Sequence, residues 1–81
     1  MKKSAAPRNS TGEAIRKARQ DAKPKVTQAD LAARLEIQGK RLSQGQIAKI
    51  ENGTRTITDK ELIAIAKALK VQVKDFFGKN P

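Results

Sequence analysis

Apolar residues recur at intervals of three and four along most of the chain, the spacing of one helical face. Ala14, Ile15, Ala18 and Ala22 form the first stripe, and Ser10-Thr11-Gly12-Glu13 ahead of it has the form of a capping box. A first helix is therefore expected to start at Ser10 and to stop near Ala22, because Pro24 disfavours helical geometry in the residue before it. Leu31, Ala32 and Leu35 give a second helix over about residues 27–38, with Thr27 as its cap, Asp30 in its first turn and Gly39 as its stop. Ser43 caps a short third segment in which Ile47 and Ile50 are three apart, and Asn52-Gly53 ends it as a left-handed terminus. Thr58-Asp59-Lys60-Glu61 repeats the capping box, and Leu62, Ile65, Ala66 and Leu69 carry a helical stripe to about Lys70. A last turn or two near Val73 to Phe77 ends at Gly78 and brings both aromatic residues to the core, one to fill it. No strand alternation or internal repeat competes with this reading.

Residues 1–9 lack any such periodicity. Lys2, Lys3 and Arg8 lie there among Ser, Ala, Pro and Asn, which predicts a flexible basic arm, followed by one domain over residues 10–78 and a tail at 79–81. A length of 81 residues allows a single domain, and 17 large apolar residues allow only a small core. The expected fold class is all-α, a compact bundle of five helices.

The chain has no His and no Cys. Thiolate and imidazole chemistry are thereby excluded, and with them structural zinc, iron–sulfur clusters, disulfides and a Ser-His dyad. No nucleophile–base pair can be assembled from the eight carboxylates, which fall mostly at capping or solvent positions. The expectation is no enzyme, no catalytic residue, no metal and no cofactor. The longest apolar run lies within Leu62 to Ala66, far short of the roughly 20 residues that cross a bilayer. A cytoplasmic protein without a small-molecule ligand is expected.

Charge narrows the class of partner. Eighteen Lys and Arg against eight Asp and Glu leave a formal charge of +10 and a pI near 10.4, a field that attracts nucleic acid or an acidic membrane. No helix combines a basic face with a bulky apolar one as interfacial anchors do, which disfavours the membrane.

The second and third helices follow each other closely, and the third bears small polar residues and a Lys on its outer face: helix-turn-helix architecture. From about Gly12 to Phe77 the chain resembles the Xre family of phage-repressor and Cro-type DNA-binding domains. The residues that carry the resemblance are Thr27-Gln28-x-x-Leu31-Ala32, then Leu42-Ser43-x-x-x-Ile47-x-x-Ile50-Glu51-Asn52-Gly53, then Leu62 to Leu69. One departure stands out. Where members of the family place about one Gly, this chain places Glu36 to Arg41, a turn about five residues longer that resembles a subset with an extended turn. Helix 2 is expected to run on a little, and a loop around Gly39 to Arg41 to bulge outward.

Burial of Ile47 and Ile50 at 100° per residue turns Gln44, Gly45, Gln46, Ala48 and Lys49 outward. The Gln44 amide can pair bidentately with adenine, and Lys49 can donate to guanine or phosphate. The resemblance implies that Gln44, Gly45 and Lys49 read bases, Gly45 by permitting close approach. It implies phosphate contacts from Gln28, which also braces the recognition helix, and from the loop after Gly53. Ser43 at the start of helix 3, Thr54 and Arg55 in that loop, and Lys40 and Arg41 in the bulge complete the candidate phosphate set, with Arg55 foremost. It further implies a partly buried ion pair between Arg19 and Glu51.

These residues predict sequence-specific binding of double-stranded DNA by a small bacterial or phage-type transcriptional regulator, with a homodimer as candidate assembly and the basic arm as a candidate minor-groove element. Two alternatives stay open: an antitoxin- or adaptor-like interaction module using Val73, Phe76 and Phe77, and a non-specific nucleic-acid binder.

Overall fold

The computed structural model describes residues 7–77, and their side chains from residue 11 onward. The chain runs through α1 (Pro7–Asp21), α2 (Gln28–Ile37), α3 (Gln44–Glu51), α4 (Asp59–Leu69) and a 3-10 turn (Val73–Phe76). It is all-helical among the described residues, four α-helices and a 3-10 turn that takes the place of the fifth helical element, as the all-α expectation has it. Of the expected arm, residues 1–6 lie outside the described residues, as do Gly78 and the tail.

Three of the helices start as the caps require. Thr27, Ser43 and Thr58 each accept the backbone N–H three residues on, from Asp30, Gln46 and Glu61, whose side chains accept the N–H of the cap in return. The first helix departs from expectation. It starts at Pro7, so Ser10 sits inside the helix and is not its cap. Proline suits the first helical position, because its φ is already helical and its missing N–H would have had no partner there. Residues 7–9, assigned to the arm by their lack of periodicity, are the first turn of α1.

The extended turn is ordered by its glycine. Gly39 takes φ +83°, the N–H of Gly39 donates to Glu36 and that of Lys40 to Leu35, so the last carbonyls of α2 are satisfied. Gly53 repeats this at the end of α3, with φ +85° and N–H groups of Gly53 and Thr54 on Ile50 and Lys49. At the end of α4 Lys70 takes the same left-handed geometry, φ 61°.

Ile15, Leu31, Leu35, Ile47, Ile65 and Phe76 are the largest fully buried side chains and belong to one core shared by all five elements. Phe76 closes it, while Phe77 stays half exposed. Side chains also tie α2 to α4: Arg34 donates to the Ala68 carbonyl at 2.9 Å and Gln38 to that of Ala64 at 3.0 Å. On the other side α1 crosses the end of α3 at Gly12, where a side chain would run into the carbonyl oxygens of Ile50 and Glu51, the latter at 2.7 Å. Glycine is what lets the two backbones approach. Packing on α1 and α2 thus fixes one face of α3 and leaves the other outward.

Candidate nucleic-acid interface

Helix α3 is eight residues long, too short to hold together in water alone, so its position rests on its buried face. Ile47 and Ile50 are sealed in the core and Glu51 is buried beside them. Glu51 is held by a fork. Arg19 Nε donates to its Oε2 at 2.8 Å and Nη2 to its Oε1 at 2.9 Å, while Nη1 donates to the Val26 carbonyl at 3.0 Å. Gln28 Nε2 adds a bond to Glu51 Oε1 at 3.0 Å. One buried carboxylate therefore joins the end of α3 to α1 and to the first residue of α2.

Opposite this anchor, Gln44, Gly45, Gln46 and Lys49 are exposed, whereas Ala48, expected outside with them, is half buried. Gln46 is not free. Its side-chain oxygen accepts the Ser43 N–H at 2.9 Å and its own N–H donates to Ser43 Oγ at 3.1 Å. The side chains left to meet a ligand are Gln44 and Lys49, with Gly45 between them. Among the described residues a methyl at Gly45 would touch only Ser43 Oγ, at 3.9 Å, and none of them requires glycine there.

The groups around α3 are placed as follows. Gln28 and Gln44 line one open polar groove together with Lys25 and Thr27. Sequence reasoning passed over Lys25, whose charge in a loop gave no periodic signal; only the fold sets it beside Gln44. Arg41 and Ser43 line a second groove between α2 and the start of α3, while Lys40 is half buried and is not among the residues that line it. The Ser43 side chain is engaged as a cap but stays exposed. Thr54 donates its hydroxyl to Asn52 Oδ1 at 2.7 Å, and the Thr54 and Arg55 N–H groups both donate to the Lys49 carbonyl. Lys25, Lys40, Arg41 and Lys49 form no ion pair among the described residues.

Arg55, the foremost phosphate candidate, is ion-paired within the protein. Its Nη1 donates to Glu61 Oε1 at 3.0 Å and to the Thr56 carbonyl at 3.1 Å, and its Nη2 to Glu61 Oε2 at 3.1 Å. These hydrogen bonds from Arg55, helped by the Thr58 N–H, hold the Glu61 carboxyl below the usual carboxylate range and raise the Arg55 guanidinium above its own. Asp30 is lowered too, first by the backbone N–H of Thr27 and then by its hydroxyl. No group of residues that could hold a metal ion occurs among the described residues, and no helix there is long and apolar enough to cross a membrane.

A helix-turn-helix family model matches residues 15–76, about three quarters of the chain, and spans all of α2, the extended turn and α3. The chain belongs to this family. It is a DNA-binding helix-turn-helix domain of the phage-repressor and Cro type, in which α2 and α3 are the two helices of the motif. Domains of this family bind double-stranded DNA. Comparisons with curated proteins and with solved structures give no match.

Proposed function

We propose that this helix-turn-helix domain is a small transcriptional regulator that recognises a particular duplex sequence by laying α3 in the major groove. The observation that carries the reading is the division of α3: isoleucines and a paired carboxylate inward, Gln44, Gly45 and Lys49 outward with no side-chain partner among the described residues. Gln44 is then matched to adenine, and Lys49 to guanine or a nearby phosphate. Gly45 lets the helix come close to the base edges. Gln28, Ser43, Lys40, Arg41, Thr54 and Arg55 are the phosphate set, to which Lys25 is added by its place in the groove beside Gln44. Phosphate contacts fix register and orientation, while the base contacts discriminate.

Two reading side chains, each worth roughly 1–3 kcal/mol of discrimination, reach only the lower part of the roughly 4–10 kcal/mol that separates specific from non-specific binding. A homodimer on a two-fold operator doubles that number, and the cytoplasm is the compartment that fits such a role. Selection from a pool of random duplexes tests the reading, since it reports both a preferred site and its symmetry. The expected result is a two-fold site that Gln44→Ala with Lys49→Ala no longer prefers. If about five phosphates are neutralised per protomer, log affinity falls with log salt at a slope near −4.5. A slope near zero, or no preferred site, removes the regulator reading. Retention of a protein partner by the same double variant would favour the interaction-module alternative, for which Phe77 is the exposed residue.

A further inference from the structure

Resting on the DNA reading above, we propose that Glu61 is a positioning residue for DNA binding: it holds the Arg55 guanidinium at the end of α3 in the orientation that meets a backbone phosphate. The backbone of Arg55 is fixed to the recognition helix, because its N–H donates to the Lys49 carbonyl at 3.2 Å beside that of Thr54 at 2.9 Å. Its side chain is fixed to α4 by the two-toothed bond to Glu61. Glu61 is itself immobilised, since Oε1 also accepts the Thr58 N–H at 3.1 Å and its own N–H donates to Thr58 Oγ1. The guanidinium is thus located by two helices at once, yet 29% of the Arg55 side chain remains exposed.

Donor arithmetic completes the case. A guanidinium has five N–H groups. Three are used, two from Nη1 and one from Nη2, which leaves Nε–H and the second N–H of Nη2 without a partner among the described residues. These two lie along one edge of the planar group, the arrangement that takes two oxygens of a phosphate. A free arginine would have to surrender rotamer entropy on binding; Arg55 has already surrendered it on folding. The negative charge of Glu61 opposes DNA at long range, so orientation and repulsion predict opposite signs when it is neutralised.

The test is duplex affinity as a function of salt for the wild type, Arg55→Ala, Glu61→Gln and the double variant, with a thermal melt of each to show that it is folded. Glu61→Gln keeps an amide oxygen for the α4 cap and removes the charge. Loss of one phosphate contact corresponds to a slope shallower by about 0.9, or about eightfold weaker binding near 0.1 M salt. The expected result is that loss for Arg55→Ala and for Glu61→Gln alike, with no further loss in the double variant. Tighter or unchanged binding by Glu61→Gln, additive losses, or an unaltered slope in either single variant overturns the proposal. If Glu61→Gln melts below the assay temperature, Arg55→Lys decides. It keeps the cation without the fork, and is expected to bind about as weakly as Arg55→Ala; wild-type affinity overturns positioning. A wild type without preference for any duplex overturns the DNA reading instead, and is recognised before the variants are compared.

Discussion

The Arg19 guanidinium and the Glu51 carboxylate meet edge to edge in the interior, with N···O distances of 2.8 and 2.9 Å, and only 11% and 3% of their side chains reach solvent. The pair locks α1 to the last residue of the helix that carries the candidate reading face. A buried pair of this kind contributes mainly by not being broken, because either charge left alone in the interior is costly.

Glu51→Ala is therefore expected to lower stability by about 3–5 kcal/mol, since it strands the Arg19 charge and also frees the Gln28 amide. Chemical denaturation of the variant and the wild type checks this. A midpoint unchanged at equal slope would show that the pair contributes nothing to holding α3.

At Gly45 stability and binding are expected to move in opposite directions. Alanine there meets nothing closer than an ordinary contact with Ser43 Oγ and removes the backbone entropy cost of glycine, so Gly45→Ala should stabilise the free domain by up to about 1 kcal/mol. The added methyl would stand on the surface offered to DNA, so duplex affinity should fall. A melt and a titration on the same sample test both halves; affinity that rises or stays level contradicts close approach at this position.

The Arg55–Glu61 bond predicts an acid-sensitive contribution to stability. The Glu61 pKa is lower in the folded chain than in the unfolded one, so the unfolded state takes up the proton first as pH falls. The contribution is complete above the usual glutamate value of about 4.3 and declines as pH drops below it toward the depressed folded value. Wild type should exceed Glu61→Gln in melting temperature at neutral pH, and the gap should narrow through that window. A gap constant from neutral pH to about pH 3 would show that the carboxylate charge is not what binds Arg55.

Legibility followed the range of each interaction. The starts of α2, α3 and α4 could be read because each cap involves residues three apart, and Gly39 and Gly53 could be read as stops because the left-handed turn needs glycine nearby in sequence. The start of α1 was misplaced because two local signals, Pro7 and the Ser10 box, compete there and the sequence does not weigh them. Lys70 gave no signal: a lysine in left-handed geometry is tolerated because the chain must turn so that Val71 packs against the core.

What the amino-acid order determined by itself is the set of helices, their apolar faces and the polar residues left on α3, since periodicity and capping act within a turn or two. How the polar side chains around α3 are engaged was decided mostly by the tertiary structure. Gln46 is held by its cap, Gln28 is tied to Glu51, and Arg55 is tied to Glu61 with one edge of its guanidinium left over, while Phe76 enters the core and Phe77 does not. Except for the Gln46 cap, each of these outcomes depends on which side chains the packing brings to hydrogen-bonding or van der Waals distance, and residues 23 or 32 positions apart carry no local mark of that meeting.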